Sequence, residues 1–194
     1  MISNERFEEI KREVAFFLED RDVRSVPIDV FGLARKLNIK YKFLSESLLK
    51  RNKSLYTLNF SDINAAQHYD KENNRVALLI NDIGNYYNNQ RFSMAHEIGH
   101  IVLGHDVQSE TNEAEANFFA NQLLVPYALL LNLSSQELDN ENLTAIFGVS
   151  HDTLNIAIRN VRKRKAKFNK EYYEYEKIVI NLLNDSLIDK IKKY

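Results

Sequence analysis

The chain has no cysteine. That one absence removes disulfides, cysteine-ligated metal and thiol nucleophiles together, and leaves histidine and carboxylate as the only strong metal ligands. Long apolar runs are missing as well: no stretch approaches the roughly 20 residues that a membrane-spanning helix needs. The opening stretch, MISNERFEEIKREVAFFLED, is charged throughout and lacks the apolar heart of a secretion signal, so a cytoplasmic protein with no membrane partner is expected. Nor is there an excess of one charge. With 26 Lys and Arg against 27 Asp and Glu, the formal net charge is −1, and nothing global draws the chain to nucleic acid. What remains is 194 residues at 44% hydrophobic content, enough for one domain of ordinary size or a domain with a small appendage. With cysteine gone, the five histidines carry the argument.

Residues 91–105 read RFSMAHEIGHIVLGH and contain His-Glu-x-x-His at His96, Glu97 and His100. On an α-helix, positions four apart lie about 6 Å apart along the axis and about 40° apart around it, so both imidazoles leave one face and can reach one ion. Two imidazoles leave room for a third protein ligand and a water, the open arrangement of catalytic rather than structural Zn²⁺. Glu97, one residue past the first His, falls beside the metal but not on it, placed to take a proton from a water and return it to a leaving amine. This is the helix motif of metalloproteases. Phe92, Ala95, Ile98 and Val102 form an apolar stripe at helical spacing, so the helix is expected to be pinned to a core with its ligand edge toward a cavity. Gly99 costs about 1 kcal/mol inside a helix and suits a place where another backbone comes close. His105 lies five residues after His100 and is expected to turn away from the zinc edge as a helix-end residue. With Gly104 it is one place out of step for the HExxHxxGxxH of metzincins.

A third ligand has to come from elsewhere, and TNEAEANFFANQLLVP (111–126) is the obvious source. Ala116, Phe119, Ala120, Leu123 and Leu124 share one helical face, and Pro126 stops the helix. Summing 100° per residue puts Glu113 about 60° from the centre of that face and Glu115 about 100° away on the opposite flank. The spacing favours Glu113 and leaves Glu115 as an alternative, otherwise a solvent-facing or cleft-rim charge. Asn117, one turn after Glu113, is suited to hold a ligand carboxylate or His ring in place.

Residues 4–20 carry Phe7, Ile10, Val14, Phe17 and Leu18 at the spacing of an amphipathic helix that serves packing. A second helix is expected over VFGLARKLNI after Pro27 and Asp29, with Asn38 as its stop. Strands are read at 39–44, 54–60, 64–70 and 75–81. The last two are joined by the polar turn 71–74, which places His68 in a hairpin. Residues 140–160 have the spacing of two short helices around a Gly turn and resemble a helix-turn-helix, with His151 near a helix start. Beyond lies a basic run of Arg159, Arg162, Lys163, Arg164, Lys165, Lys167 and Lys170 that could contact phosphates. An amphipathic tail carries Ile178, Leu182, Leu183, Leu187 and Ile188, and Tyr172, Tyr173 and Tyr175 are candidates to place a phenol near an oxyanion.

RFSMAHEIGH, followed after a short gap by E-x-E-A-N-x-F-A-x-x-L-L-x-P, resembles the ImmA/IrrE group of gluzincin-like metallopeptidases, and PIDVFGLARKLNI resembles that group's lead-in helix. The resemblance spans roughly residues 25–165. It implies Zn²⁺ at His96, His100 and Glu113 with Glu97 as general base, and a substrate among bacterial regulatory proteins, often helix-turn-helix repressors. The reading is therefore an α+β, zincin-like endopeptidase, with a small antiparallel or mixed sheet before the HExxH helix. The metallopeptidase core and its N-terminal helices occupy 1–139; a helical part, 140–194, holds the helix-turn-helix-like segment and the tail, packed on the core. Strand 75–81 is expected to align an extended peptide by backbone pairing if it borders the cleft. The rival from another class is a non-catalytic regulator that binds DNA or protein through 140–170.

Overall fold

A computed structural model describes residues 2–50, 65–70, 75–83, 87–107, 109–133, 139–166 and 171–193. The expected strand at 54–60 and the turn at 71–74 lie outside these residues, as do Lys167 and Lys170.

Helix α1 (Asn4–Asp20) starts where the Ser3 side chain accepts the Arg6 amide at 3.1 Å, satisfying one of the donors a helix N-terminus leaves open. Ile10, Val14, Ala15, Phe17 and Leu18 then face the interior. Helix α2 (Val30–Lys36) is capped by Asp29, which accepts from the Gly32 amide at 2.8 Å. It ends before Asn38, whose φ of +58° is a left-handed conformation that Asn tolerates better than most residues. Strand β1 (Lys40–Phe43) follows, and then a helix that periodicity did not announce, α3 (Leu44–Lys50).

Among the described residues, strands β2 (Ala65–Asp70) and β3 (Arg75–Ile80) complete a three-stranded mixed sheet of order β1-β3-β2. β1 pairs parallel to β3, with Lys40 opposite Ala77; β2 pairs antiparallel to it, with Ala65 opposite Ile80. The expected hairpin partners do pair. β3 is the central strand, however, with a neighbour on each side, so its backbone groups are already engaged and it cannot take a substrate strand as expected.

Among the described residues, helices α4 (Tyr87–Val102) and α5 (Glu110–Leu124) pack on each other more extensively than any other helix pair. α5 ends at Val125, just before Pro126 as expected, and Pro126 opens a further short helix, α6 (Tyr127–Asn132). Helix α7 (Asn140–Phe147) ends in a left-handed Gly148 (φ 61°), and α8 begins at His151 but runs on to Ala166, longer than the expected short helix. Helix α9 (Glu174–Ile191) lies against α1 and α6, burying Val179, Leu182, Leu183 and Leu187. Ile188, expected on that face, is 37% exposed.

These C-terminal helices share the interior of the rest. The Arg91 guanidinium of α4 is buried and donates to the carbonyls of Gly148 (2.9 Å) and Phe147 (3.3 Å), while Asn88 donates to Val149 at 3.1 Å. A second buried polar chain runs from the Asn160 amide to the Tyr127 hydroxyl (2.9 Å), from that hydroxyl to Asn121 (2.8 Å), and from Asn121 to the Thr153 carbonyl (2.8 Å), tying α5, α6 and α8 together. Each buried polar group finds a partner there, which is what makes its burial tolerable.

Candidate metal centre

Helix α4 is buried on more sides than an apolar stripe alone would give. Met94, Ala95 and Ile98 are inaccessible, Arg91, Ser93, Glu97, Gly99 and His100 are buried, and the expected Phe92 and Val102 are only half-buried at the margin. A β-carbon on Gly99 would stand 3.2 Å from the Ala116 carbonyl oxygen and 3.1 Å from the Phe119 ring. The missing side chain is what lets α4 and α5 approach so closely. That approach brings their polar edges together.

At this seam the His96 and His100 Nε2 atoms stand 3.0 Å apart, with Glu113 Oε2 3.3 Å from the first and Oε1 3.4 Å from the second. Among the described residues these three side chains form a group whose ligand atoms all lie within 4.8 Å of one another. Three donors held at about 2.0–2.1 Å from one tetrahedral ion would sit about 3.3 Å apart, so the spacing fits a single small cation. The chemistry of the set fits too. His96 Nδ1 is engaged by Asn117 Oδ1 at 3.0 Å, as the sequence spacing suggested, which leaves Nε2 to face inward. Burial is the main force lowering the pKa of both imidazoles, in His100 joined by the neighbouring His96, so both are neutral near pH 7, the form a metal requires.

Glu97 is buried beside this group, and burial, aided by the Glu113 carboxylate, raises its pKa to about 7. A carboxyl poised near neutrality can accept and return a proton with little energetic penalty in either direction. The Glu113 side chain is 45% exposed, against 16% and 11% for the two histidines, so the seam opens to solvent on the Glu113 side.

Two sequence expectations fail here. Glu115 is neither a rim charge nor part of the cluster: it is buried, and its Oε2 accepts from Arg6 Nη2 at 2.6 Å and Nε at 3.0 Å. His105 does not turn away. Gly104, in a left-handed conformation (φ 69°), reverses the chain after α4, so His105 Nδ1 returns to 3.0 Å from His100 Nδ1 and its Nε2 lies 3.3 Å from Glu115 Oε2. Helical projection could not find this, because His105 is no longer on the helix. The available signal was Gly104 itself, the usual device for a left-handed helix stop. The Tyr175 phenol is also committed elsewhere: it donates to Glu8 on α1.

The family model of the IrrE N-terminal-like domain of peptidase family M78 matches residues 54–159, more than half of the chain. The chain belongs to this family. A comparison with curated proteins gives no match. The matched stretch holds α4, α5 and all three residues of the cluster, and ends within α8. Helices α1, α2 and α9 lie outside it, including the lead-in helix that the sequence resemblance had covered. Membership in M78 makes this a peptidase-family protein with a His, His, Glu group able to hold a metal ion. None of its described helices is long and apolar enough to cross a membrane.

Proposed function

We propose that the protein is a zinc-dependent endopeptidase in which His96, His100 and Glu113 hold the ion and Glu97 is the general base. The observation that carries this reading is the convergence of two neutral imidazoles and a carboxylate beside a buried carboxyl whose pKa lies near 7. When bound, the ion supplies a Lewis acid that polarises the scissile carbonyl and acidifies a water. Glu97 takes the proton from the attacking water and delivers it to the leaving amine nitrogen, an exchange that a carboxyl with a pKa of about 7 can make in both directions near neutral pH. Because β3 is enclosed, an extended substrate would have to pair elsewhere, and among the described strands the outer ones are β1 and β2. The substrate inferred from the family resemblance is a bacterial or phage regulatory protein of the helix-turn-helix kind, met in the cytoplasm and cut to relieve repression.

The test is incubation with a repressor encoded beside this protein. Wild type with Zn²⁺ cleaves it, and the same protein with chelator does not. Glu97→Gln retains zinc and loses turnover; undiminished cleavage by that variant would refute the assigned role.

A DNA-binding reading has one observation in its favour: helix, turn and helix follow in order at α7, Gly148 and α8, and α8 exposes Arg159, Arg162, Lys163 and Lys165. Two facts weigh against it. Arg164 is turned inward onto buried Glu176 at 3.1 Å, and the turn itself is held on α4 by Arg91 and Asn88. A gel shift at low salt that survives Glu97→Gln supports DNA binding, and its absence removes it.

A further inference from the structure

We propose that His105, Glu115 and Arg6 form a positioning relay behind the metal centre, fixing which nitrogen of His100 carries its proton and where that ring points. The proposal rests on the reading of His96, His100 and Glu113 as metal ligands.

The proton positions follow from the geometry. A metal held between the inward Nε2 atoms needs a lone pair on each, so the proton of each neutral ring must sit on Nδ1. For His96 that proton goes to Asn117 Oδ1. Among the described residues the hydrogen-bond partner of His100 Nδ1 is His105 Nδ1 at 3.0 Å, which must then be an acceptor. His105 therefore carries its own proton on Nε2, and that atom lies 3.3 Å from Glu115 Oε2. A carboxylate is acceptor only, so the direction of every bond in the chain is determined. Glu115 in turn receives two guanidinium N–H groups from Arg6, at 2.6 and 3.0 Å on the same oxygen. The relay thus runs from ligand to imidazole to carboxylate to guanidinium.

Its members come from different parts of the chain. His105 is set by the Gly104 reversal after α4, Glu115 projects from α5, and Arg6 comes from α1, outside the residues matched by the M78 family model. Arg6 is shared with Glu9 at 3.1 Å on its own helix, which helps hold the guanidinium in place. The His105 side chain is 6% exposed and that of Glu115 10%, so water is largely excluded as a substitute partner for His100. A ligand ring with an oriented second nitrogen binds metal more tightly than a free one, and removing such a partner typically costs about 10- to 100-fold in affinity.

Asparagine places an amide near the position of an imidazole Nδ1, and glutamine near that of Nε2. His105→Asn can therefore still accept from His100, whereas His105→Gln is directed at Glu115 and His105→Leu accepts from nothing. Zinc dissociation constants, measured by competition with a chromophoric chelator, should rise about 10- to 100-fold in the Leu and Gln variants and stay near wild type in the Asn variant. Arg6→Met should fall between the two. Cobalt-substituted protein gives a second readout, since the ligand-field absorption of the ion shifts when the His100 ring reorients and is restored by Asn. In zinc-loaded wild type, nitrogen-15 correlation spectra should show His105 protonated at Nε2. Equal affinities and spectra across the Asn and Gln variants, or His105 protonated at Nδ1, would overturn the relay while leaving the metal ligands in place. A wild-type protein that takes up neither Zn²⁺ nor Co²⁺ overturns the metal reading itself, and the relay with it.

Discussion

Glu113 and Glu115 are two residues apart on one helix and live in opposite worlds. Glu113 sits at the mouth of the seam, nearly half-exposed, with its two oxygens facing His96 and His100. Glu115 is buried behind that seam, where the Arg6 guanidinium, more than burial opposes it, holds its carboxyl below the usual range. A separation of about 200° around the helix axis is enough to make one carboxylate part of the donor cluster and the other part of its support. The lesson is that residue type and local spacing select candidates, while the neighbouring element decides which candidate faces which chemistry.

The comparison can be broken most forcefully at the front. Glu97→Gln should lower turnover by about 10²- to 10⁴-fold with bound zinc unchanged, measured on a cleaved protein substrate. Glu113→Ala should abolish stoichiometric zinc retention, read by metal analysis after gel filtration, while the metal-free protein melts as wild type does. Glu115→Ala should do the reverse in emphasis, leaving Arg6 and His105 without their acceptor at a cost of about 1–3 kcal/mol in metal-free stability, read by denaturant unfolding. Undiminished zinc in Glu113→Ala, together with lost zinc in Glu115→Ala, would exchange the two roles. Between front and back, Gly99→Ala should cost about 1–3 kcal/mol by forcing α4 and α5 apart, and should weaken zinc as well, because Glu113 and the two imidazoles are on different sides of that contact.

The smallest effect belongs far from the seam. Burial raises the Glu8 pKa, but hydrogen bonds from Lys11 and Tyr175 outweigh it, and the net pKa is lowered. A lowered carboxylate stabilises the folded state above its unfolded value and loses that contribution as pH falls through its folded value. Tyr175→Phe should therefore cost about 1–2 kcal/mol at neutral pH and make acid unfolding begin at a higher pH than in wild type. An unchanged acid limb would show that the phenol contributes nothing to Glu8.

Much of this arrangement was legible in the sequence, for identifiable reasons. His96, Glu97 and His100 stand on one helix, where the period alone fixes relative direction, and Glu113 with Asn117 followed from the same arithmetic on the next. Gly99 was readable because a glycine inside a helix demands an explanation. What escaped depended on contacts distant in sequence or on a broken period. His105 leaves the helix at a left-handed Gly104, and Glu115 is drawn inward by an arginine 109 residues away. The short helices α3 and α6 have too few turns for periodicity to register, and the central place of β3 depends on a parallel partner that no hairpin signal reveals.

Arg91 carries one further implication. Its guanidinium is buried in α4, and besides the Tyr87 phenol the oxygens it finds are the carbonyls of Phe147 and Gly148, at the end of a helix that begins only at Asn140. A shortened protein ending ahead of α7 would keep the histidine pair yet leave a desolvated cation without those two carbonyls, so a fragment that folds around that pair at full stability should extend past residue 148.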